Sequence, residues 1–254
     1  MIEVPMGYEI PRDRAKIWRY MDFTVFMSLL DKSALFFPLV CELDDPMEGV
    51  YPDENREMEH AHPSPGDSPE DLVNKVVRPR FVAKHGQEGY REMMAVNCWH
   101  VNEGQSVAMW KTYGRQGIAV QSTCKRLKRS LETWPFDVMY AARVKYVRGL
   151  ISGKSMSLFE PSLHKRKSYE YEKELRAFIF RHSQMNRPDI PDSKMFRKHS
   201  GVYVDVCLED LIGKVYVSPI AQEWFKNLVD SVMDRYGVKK KVEKSDLAMS
   251  GSLY

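Results

Sequence analysis

The chain has 254 residues, of which 43% are hydrophobic and 29% are charged, and its formal net charge is +3. This length and composition fit one large hydrophobic core in a single domain. A net charge this small does not by itself indicate a nucleic-acid-binding protein. No run approaches the roughly 20 consecutive apolar residues of a membrane-spanning helix, and the first residues lack a secretory signal pattern. We therefore expect a cytoplasmic protein with no membrane association.

The four cysteines, Cys41, Cys98, Cys124 and Cys207, are far apart in the sequence and form no CxxC pair. A structural zinc site is therefore not expected. The neighbours of Cys41, Cys98 and Cys207 are largely apolar, which predicts buried thiols in a reducing compartment.

Hydrophobic periodicity, turn residues and capping residues predict intermixed strands and helices along the chain. Predicted strands lie at 16–20, 33–40, 94–101, 117–123, 137–147, 177–180, 201–207 and 214–218. Predicted helices lie at 23–30, 104–113, 124–133 and 219–236, and Asp22 is the expected N-cap of the first. Because no regular βαβ repeat is present, we expect an α+β fold. Its single domain has a mixed, largely antiparallel sheet flanked by helices.

The predicted domain spans 1–237. A polar stretch rich in Pro, Glu and His, at about 52–70, is interpreted as an excursion that is at least partly mobile. A second long loop is expected at 182–200. Residues 238–254 are predicted to begin as a lysine-rich edge strand and to end as a basic tail.

The most informative stretch runs from 168 to 180, SYEYEKELRAFIF, and ends in an apolar run typical of a buried strand. Glu170, Glu172 and Glu174 alternate, which would place all three on one face of a strand, with Arg176 as the expected partner. Three like charges on one face must be solvated or paired, so at least one is structural. Carboxylates beside aromatic rings at a strand edge suit acid–base chemistry or cation stabilisation. Glu174, nearest the apolar run, is the preferred catalytic candidate.

Four motifs follow one another in the chain: WRYMD (18–22), LDDPMEG (43–49), AMWKTYGRQGIAV (108–120) and KSYEYEKELR (167–176). In this order they resemble the uncharacterised prokaryotic domain-of-unknown-function family 2971, over about residues 16–218. One departure concerns the strand before the tryptophan motif. The family strand usually ends in Cys-Phe-Ser, whereas this chain has Cys98-Trp99-His100.

A more distant similarity is to ADP-ribosyltransferase-like folds of the arginine–serine–glutamate type. It implies an NAD-consuming transferase or glycohydrolase, such as a toxin or an antiphage defence effector, with a protein or nucleic acid as acceptor and no metal. The implied cofactor-binding residues are Arg19, Trp110 and Tyr113, and the implied catalytic residues are His100, Glu172 and Glu174. The arginine would hold the diphosphate, the aromatic rings would stack on the nicotinamide, and a carboxylate would stabilise the oxocarbenium character of the breaking bond.

The motif LDDPMEG (43–49), here called the acidic loop, and the first predicted strand also have simpler interpretations. Arg19 can pair with Asp44 or Asp45 and tie the loop to the strand. Asp44, Asp45 and Glu48 resemble the ligands of a metal-dependent hydrolase, although Asp-Asp-Pro is also an ordinary turn.

The aromatic and histidine candidates have structural alternatives as well. Trp110 and Tyr113, three residues apart on a helix, fit core packing as well as a ligand platform. His100 fits either a satisfied core histidine or a pocket residue.

Two other functions stay open at this point. The basic pieces KRLKR (125–129) and HKRK (164–167) are either one nucleic-acid-facing surface or solvated charged faces. A small-molecule sensor without catalysis is the remaining alternative.

Overall fold

The computed structural model describes residues 2–50, 65–66, 89–113, 117–135, 138–148, 159–180 and 200–247. The predicted excursion at 52–70, the predicted loop at 182–200 and the chain after residue 247 lie wholly or almost wholly outside the described residues.

The described strands and helices agree with most of the elements expected from the sequence. The strands are β1 (Lys16–Met21), β2 (Ala34–Pro38), β3 (Met94–Val101), β4 (Ile118–Thr123), β5 (Met139–Arg143), β6 (Lys145–Val147), β7 (His164–Arg166), β8 (Glu174–Phe180), β9 (Gly201–Asp205), β10 (Lys214–Val217) and β11 (Val242–Lys244). The α-helices are α1 (Phe23–Lys32), α2 (Val107–Tyr113), α3 (Cys124–Leu131), α4 (Glu160–Leu163), α5 (Leu208–Leu211) and α6 (Glu223–Arg235). Two 3₁₀ helices span Val40–Glu42 and Lys167–Glu172.

Seven strands form one sheet in the order β11-β10-β4-β1-β3-β8-β5. Every neighbouring pair in it is antiparallel except β10 and β11, which are parallel. The strands β2 and β9 form a separate antiparallel ribbon, and β6 pairs with β7 in parallel. The prediction of an α+β fold with a mixed, largely antiparallel sheet is confirmed. The edge strand expected after residue 237 is β11.

Helix α1 begins as the sequence predicts, because Asp22 Oδ1 accepts a hydrogen bond from the backbone N–H of Val25 at 2.7 Å. Helix α6 departs from its prediction. Val229 is buried in the core, whereas Ile220 and Trp224 are exposed. Of the apolar residues in the stretch 219–236 predicted as this helix, only some therefore contact the core. Among the described residues, no helix is both long and apolar enough to cross a membrane.

The prediction of buried thiols is wrong for one cysteine. Cys207 is exposed, whereas Cys41 and Cys98 are partly buried and Cys124 is buried. Successive side chains of an extended chain point to opposite sides. Val206 directly follows β9, which ends at Asp205, and its side chain points into the core. The side chain of Cys207, the next residue, therefore points to solvent.

The prediction that Glu170, Glu172 and Glu174 share one face of a strand is also wrong. Lys167–Glu172 is a 3₁₀ helix, and Lys173 ends it in the left-handed conformation with φ 42° before β8 begins at Glu174. With three residues per turn, side chains two apart on this helix cannot share a face. Glu170 is therefore exposed and pairs with Lys167, whereas Glu172 is buried.

Side chains alternate between the two faces of the central strands. On one face, aliphatic side chains of the sheet pack against α1, α3 and α6 in the main core. The other face carries aromatic and charged side chains. In β8 the two sets are Leu175, Ala177 and Ile179 on the first face and Glu174, Arg176, Phe178 and Phe180 on the second.

The sheet splits between β1 and β3. These strands pair only at Ile17 and Trp18 of β1, although β1 keeps all six of its pairs with β4. Beyond the split β3 contacts β2, where Asn97 Nδ2 donates a hydrogen bond to the carbonyl oxygen of Phe36 at 2.9 Å. The gap opened between β1 and β3 positions the candidate site.

Candidate functional site

A cavity of about 500 Å³ lies where β1 and β3 diverge. This volume is in the range of small-molecule sites. Its walls come from β1, β3, α2, β8, the 3₁₀ helix Lys167–Glu172 and the acidic loop. The similarity to ADP-ribosyltransferase-like folds implies six cofactor-binding or catalytic residues. Five of them line this cavity: Arg19, His100, Tyr113, Glu172 and Glu174.

Trp110, the sixth residue, is buried and is not among the described residues that line the cavity. Its indole Nε1 donates a hydrogen bond to Gln105 Oε1 at 3.0 Å, and its ring meets Tyr20 edge-on at 5.0 Å. The core-packing interpretation therefore describes Trp110, which supports the cavity wall from behind. Tyr113, three residues later, is 42% exposed and faces the cavity.

A buried arginine holds the carboxylates of the site in place. Arg176, 1% exposed, binds Glu174 through two hydrogen bonds, Nε to Oε1 at 2.6 Å and Nη2 to Oε2 at 3.0 Å. Its Nη2 also donates to Glu48 Oε2 at 3.0 Å, and its Nη1 donates to the carbonyl oxygen of Ser162 at 2.7 Å. The expected pairing of Arg176 with a glutamate of the repeat is confirmed for Glu174.

Lys165 is the second cation of this cluster. Its Nζ lies 2.6 Å from Glu172 Oε2, 2.9 Å from Glu48 Oε1 and 3.3 Å from Glu174 Oε2. Although burial opposes the charge, the carboxylates of Glu174 and Glu48 raise the pKa of Lys165. Three carboxylates thus face two cations, so this buried cluster carries a formal net charge of −1.

The two glutamates of the repeat that line the cavity are held differently. Both oxygens of Glu174 accept hydrogen bonds from cationic groups. Glu172 instead shares its carboxylate between Lys165 and the neutral phenol of Tyr113, whose OH donates to Oε1 at 2.7 Å. Burial and this contact raise the pKa of Tyr113, so the phenol stays protonated. Glu172 therefore keeps more of its negative charge uncompensated than Glu174 does.

His100 offers the cavity a hydrogen-bond acceptor. Its Nδ1 lies 2.6 Å from the carbonyl oxygen of Glu172. A carbonyl only accepts, so Nδ1 carries the proton. Burial lowers the pKa of His100, and the neutral ring leaves Nε2 unprotonated. Nε2 is buried without a hydrogen-bond partner. Because His100 lines the cavity, the hydroxyl of a ligand bound there can donate a hydrogen bond to Nε2.

Arg19 makes no ion pair with the charged cluster among the described residues. Burial lowers the pKa of its guanidinium to about 10, so it stays positively charged at neutral pH, and its Nη1 is buried without a hydrogen-bond partner. Asp45 pairs instead with Arg166, Oδ1 to Nη2 at 3.0 Å. The interpretation in which Arg19 ties the acidic loop to β1 is thus wrong for Asp45. Among the described residues, Arg19 makes no ion pair with Asp44 either.

The acidic loop has protein cations as partners. Asp45 binds Arg166, and Glu48 binds both Lys165 and Arg176. Within the described ranges, no group of three or more His, Cys, Asp or Glu side chains is arranged so that it could hold a metal ion. The loop thereby closes one side of the cavity through ion pairs.

The two basic pieces make extensive internal contacts. Lys128 pairs with Asp13, and Arg126 Nη1 donates to the carbonyl oxygen of Asp210 at 2.7 Å. In the second piece Lys165 is buried, and Lys167 pairs with Glu170. These contacts leave fewer free charges for a phosphate backbone than the sequence alone suggests.

The ion pairs of Glu174 predict a loss of stability in acid. Although burial opposes ionisation, Arg176 and Lys165 lower the pKa of Glu174 to about 2. In the unfolded chain a glutamate has a pKa of about 4.3. The unfolded state therefore takes up the proton first, and this contribution, complete above about pH 5, is lost as the pH falls towards 2. Urea unfolding between about pH 7 and pH 3 measures this loss. We expect Glu174→Gln to flatten the decline, and an identical pH dependence in both proteins would contradict the assignment.

No protein-family model, curated protein or solved structure matches this chain. The chemistry of the cavity is therefore inferred from its own residues.

Proposed function

We propose that the cavity binds NAD and that the protein consumes it, as an ADP-ribosyltransferase-like or NAD-glycohydrolase-like enzyme. The observation that carries the proposal is the polarity of the cavity. Arg19, a cation without an ion-pair partner among the described residues, lines the same cavity as a carboxylate cluster with a formal net charge of −1.

NAD has the complementary distribution of charge, because an anionic diphosphate joins its two nucleosides and its nicotinamide ring is cationic. A guanidinium binds phosphate oxygens through paired hydrogen bonds. A negative cluster attracts the cationic ring, and the half-exposed ring of Tyr113 gives it an aromatic surface. The unprotonated Nε2 of His100 can accept a hydrogen bond from a ribose hydroxyl.

The reaction needs a fixed negative charge near the ribose. When the bond between ribose C1′ and the nicotinamide nitrogen breaks, its electron pair leaves with the ring, which becomes neutral. The positive charge moves to the ribose, where a carboxylate stabilises it. We assign this role to Glu172, because a neutral phenol holds one of its oxygens. Water or an acceptor then forms a bond to C1′ and gives up its proton, which Glu172 can accept. Glu174 is the catalytic candidate preferred from the sequence, but cationic groups hold both of its oxygens, so we assign it instead a positioning role through Lys165 and Arg176.

The distant similarity of the sequence to ADP-ribosyltransferase-like folds implies the same activity. Depletion of NAD, or modification of a protein or nucleic acid, is the activity that a toxin or defence effector of this kind would have. A sensor would bind the same ligand and leave it intact.

Removing the guanidinium of Arg19 should weaken NAD binding. We expect Arg19→Gln to raise the Kd for NAD by about tenfold or more, since a hydrogen bond between charged groups contributes about 1.5–3 kcal/mol. Isothermal titration calorimetry measures the change. Arg14→Gln, an exposed arginine outside the cavity, is the matched control and should bind as the wild type does. Equal affinity of Arg19→Gln and wild type would contradict the placement of the diphosphate.

A further inference from the structure

A second cavity, of about 250 Å³, lies between α1 and the ribbon formed by β2 and β9. Arg19 lines this cavity as well as the first one. Arg19 is thus common to the two linings, and its buried Nη1 has no hydrogen-bond partner. The volume is below the usual range for a whole drug-sized ligand and suits a single ring system.

The lining of the second cavity combines apolar surface with hydroxyl groups. Leu35 and Phe36 supply apolar surface, and the Phe36 and Tyr203 rings lie 4.9 Å apart. The hydroxyls of Ser28 and Tyr203 lie 3.2 Å from each other, and Lys32 Nζ lies 5.2 Å from the centre of the Tyr203 ring. An aromatic heterocycle has flat apolar faces and a polar edge, and this lining matches both.

We propose that one ligand spans both cavities, with its anionic centre at Arg19 and a heterocyclic base in the second cavity. This inference rests on the proposed function: for NAD, the adenine end would occupy the second cavity. A base joined to a phosphate would bring its negative charge to Arg19, whose Nη1 has no hydrogen-bond partner, while the ring buries apolar surface.

The test uses AMP, which contains the base and one phosphate but no nicotinamide. Calorimetric titration should show that wild-type protein binds AMP, and that adenosine, without the phosphate, binds about tenfold more weakly or worse. Ser28→Trp, which fills the second cavity, should weaken AMP binding by about tenfold or more. Asp31→Trp lies on the same helix, is exposed and does not line the cavity, so its affinity should equal that of wild type.

A second cavity-filling variant guards against misfolding. Val25→Trp changes an exposed lining residue and should reproduce the loss seen in Ser28→Trp. The proposal is overturned if wild type does not bind AMP, if adenosine binds equally well, or if both tryptophan variants bind AMP as wild type does. AMP binding that both variants lose, in a protein that leaves NAD intact, supports this inference and removes the proposed catalysis. NAD cleavage by a protein that does not bind AMP supports the proposed catalysis and overturns this inference.

Discussion

Replacement of Arg176 by methionine should lower the free energy of unfolding by about 3–5 kcal/mol. The guanidinium is 1% exposed and contacts Glu174, Glu48 and the carbonyl oxygen of Ser162. Without it, two buried carboxylates would share the single ammonium of Lys165 with Glu172, and a carbonyl oxygen would lose its donor. Urea denaturation followed by circular dichroism measures the loss.

The matched control is Arg129→Met, which removes an exposed arginine paired with Asp210 at 3.7 Å. Exposed ion pairs contribute at most about 1 kcal/mol. If Arg176→Met lowers the free energy of unfolding no more than the control does, the buried ion pairs of Arg176 do not stabilise the fold.

The second large effect concerns catalysis. Glu172→Gln should lower kcat for nicotinamide release by about 10²- to 10³-fold, as expected when a fixed electrostatic contact to the transition state is removed. The amide has the shape of the carboxylate and still accepts a hydrogen bond from Tyr113, but it carries no charge. Lys165 and Arg176 then face Glu48 and Glu174 alone, so the cluster becomes formally neutral and the fold is retained.

Glu170→Gln is the control for this variant. Glu170 lies two residues earlier, is exposed and pairs with Lys167 outside the cavity, so its removal should leave kcat unchanged. Equal turnover by Glu172→Gln and wild type would remove Glu172 from the mechanism. An unchanged melting temperature of Glu172→Gln, measured in parallel, separates loss of chemistry from loss of structure.

Much of the fold follows from local patterns. The strand at Met94–Val101 was predicted to the residue, because its apolar side chains, turn-rich flanks and length leave few alternatives. Asp22 predicted the start of α1 for an equally local reason. The glutamate repeat was misassigned because alternating charges occur on exposed 3₁₀ turns as well as on strands, and the left-handed Lys173 that separates the two has no sequence signature.

The site was less predictable, because it depends on contacts between distant parts of the chain. Lys165 belongs to a basic run that resembles a solvated surface. In the structure it is buried and forms ion pairs with Glu48, Glu172 and Glu174. Trp110 and Tyr113 have the same helical context, and only the docking of α2 against β1 decides that the first packs inward and the second lines the cavity. The divergence of β1 from β3, beyond which Asn97 of β3 contacts Phe36 of β2, likewise leaves no mark in the sequence.

The most direct measurement is the quantity of free nicotinamide after NAD is incubated with an equal amount of purified protein, determined by chromatography. We expect wild type to convert NAD to nicotinamide, and Glu172→Gln to leave NAD intact over the same time. Stoichiometric wild-type protein that binds NAD in calorimetry but releases no nicotinamide would contradict NAD consumption and identify the cavity as a binding site only.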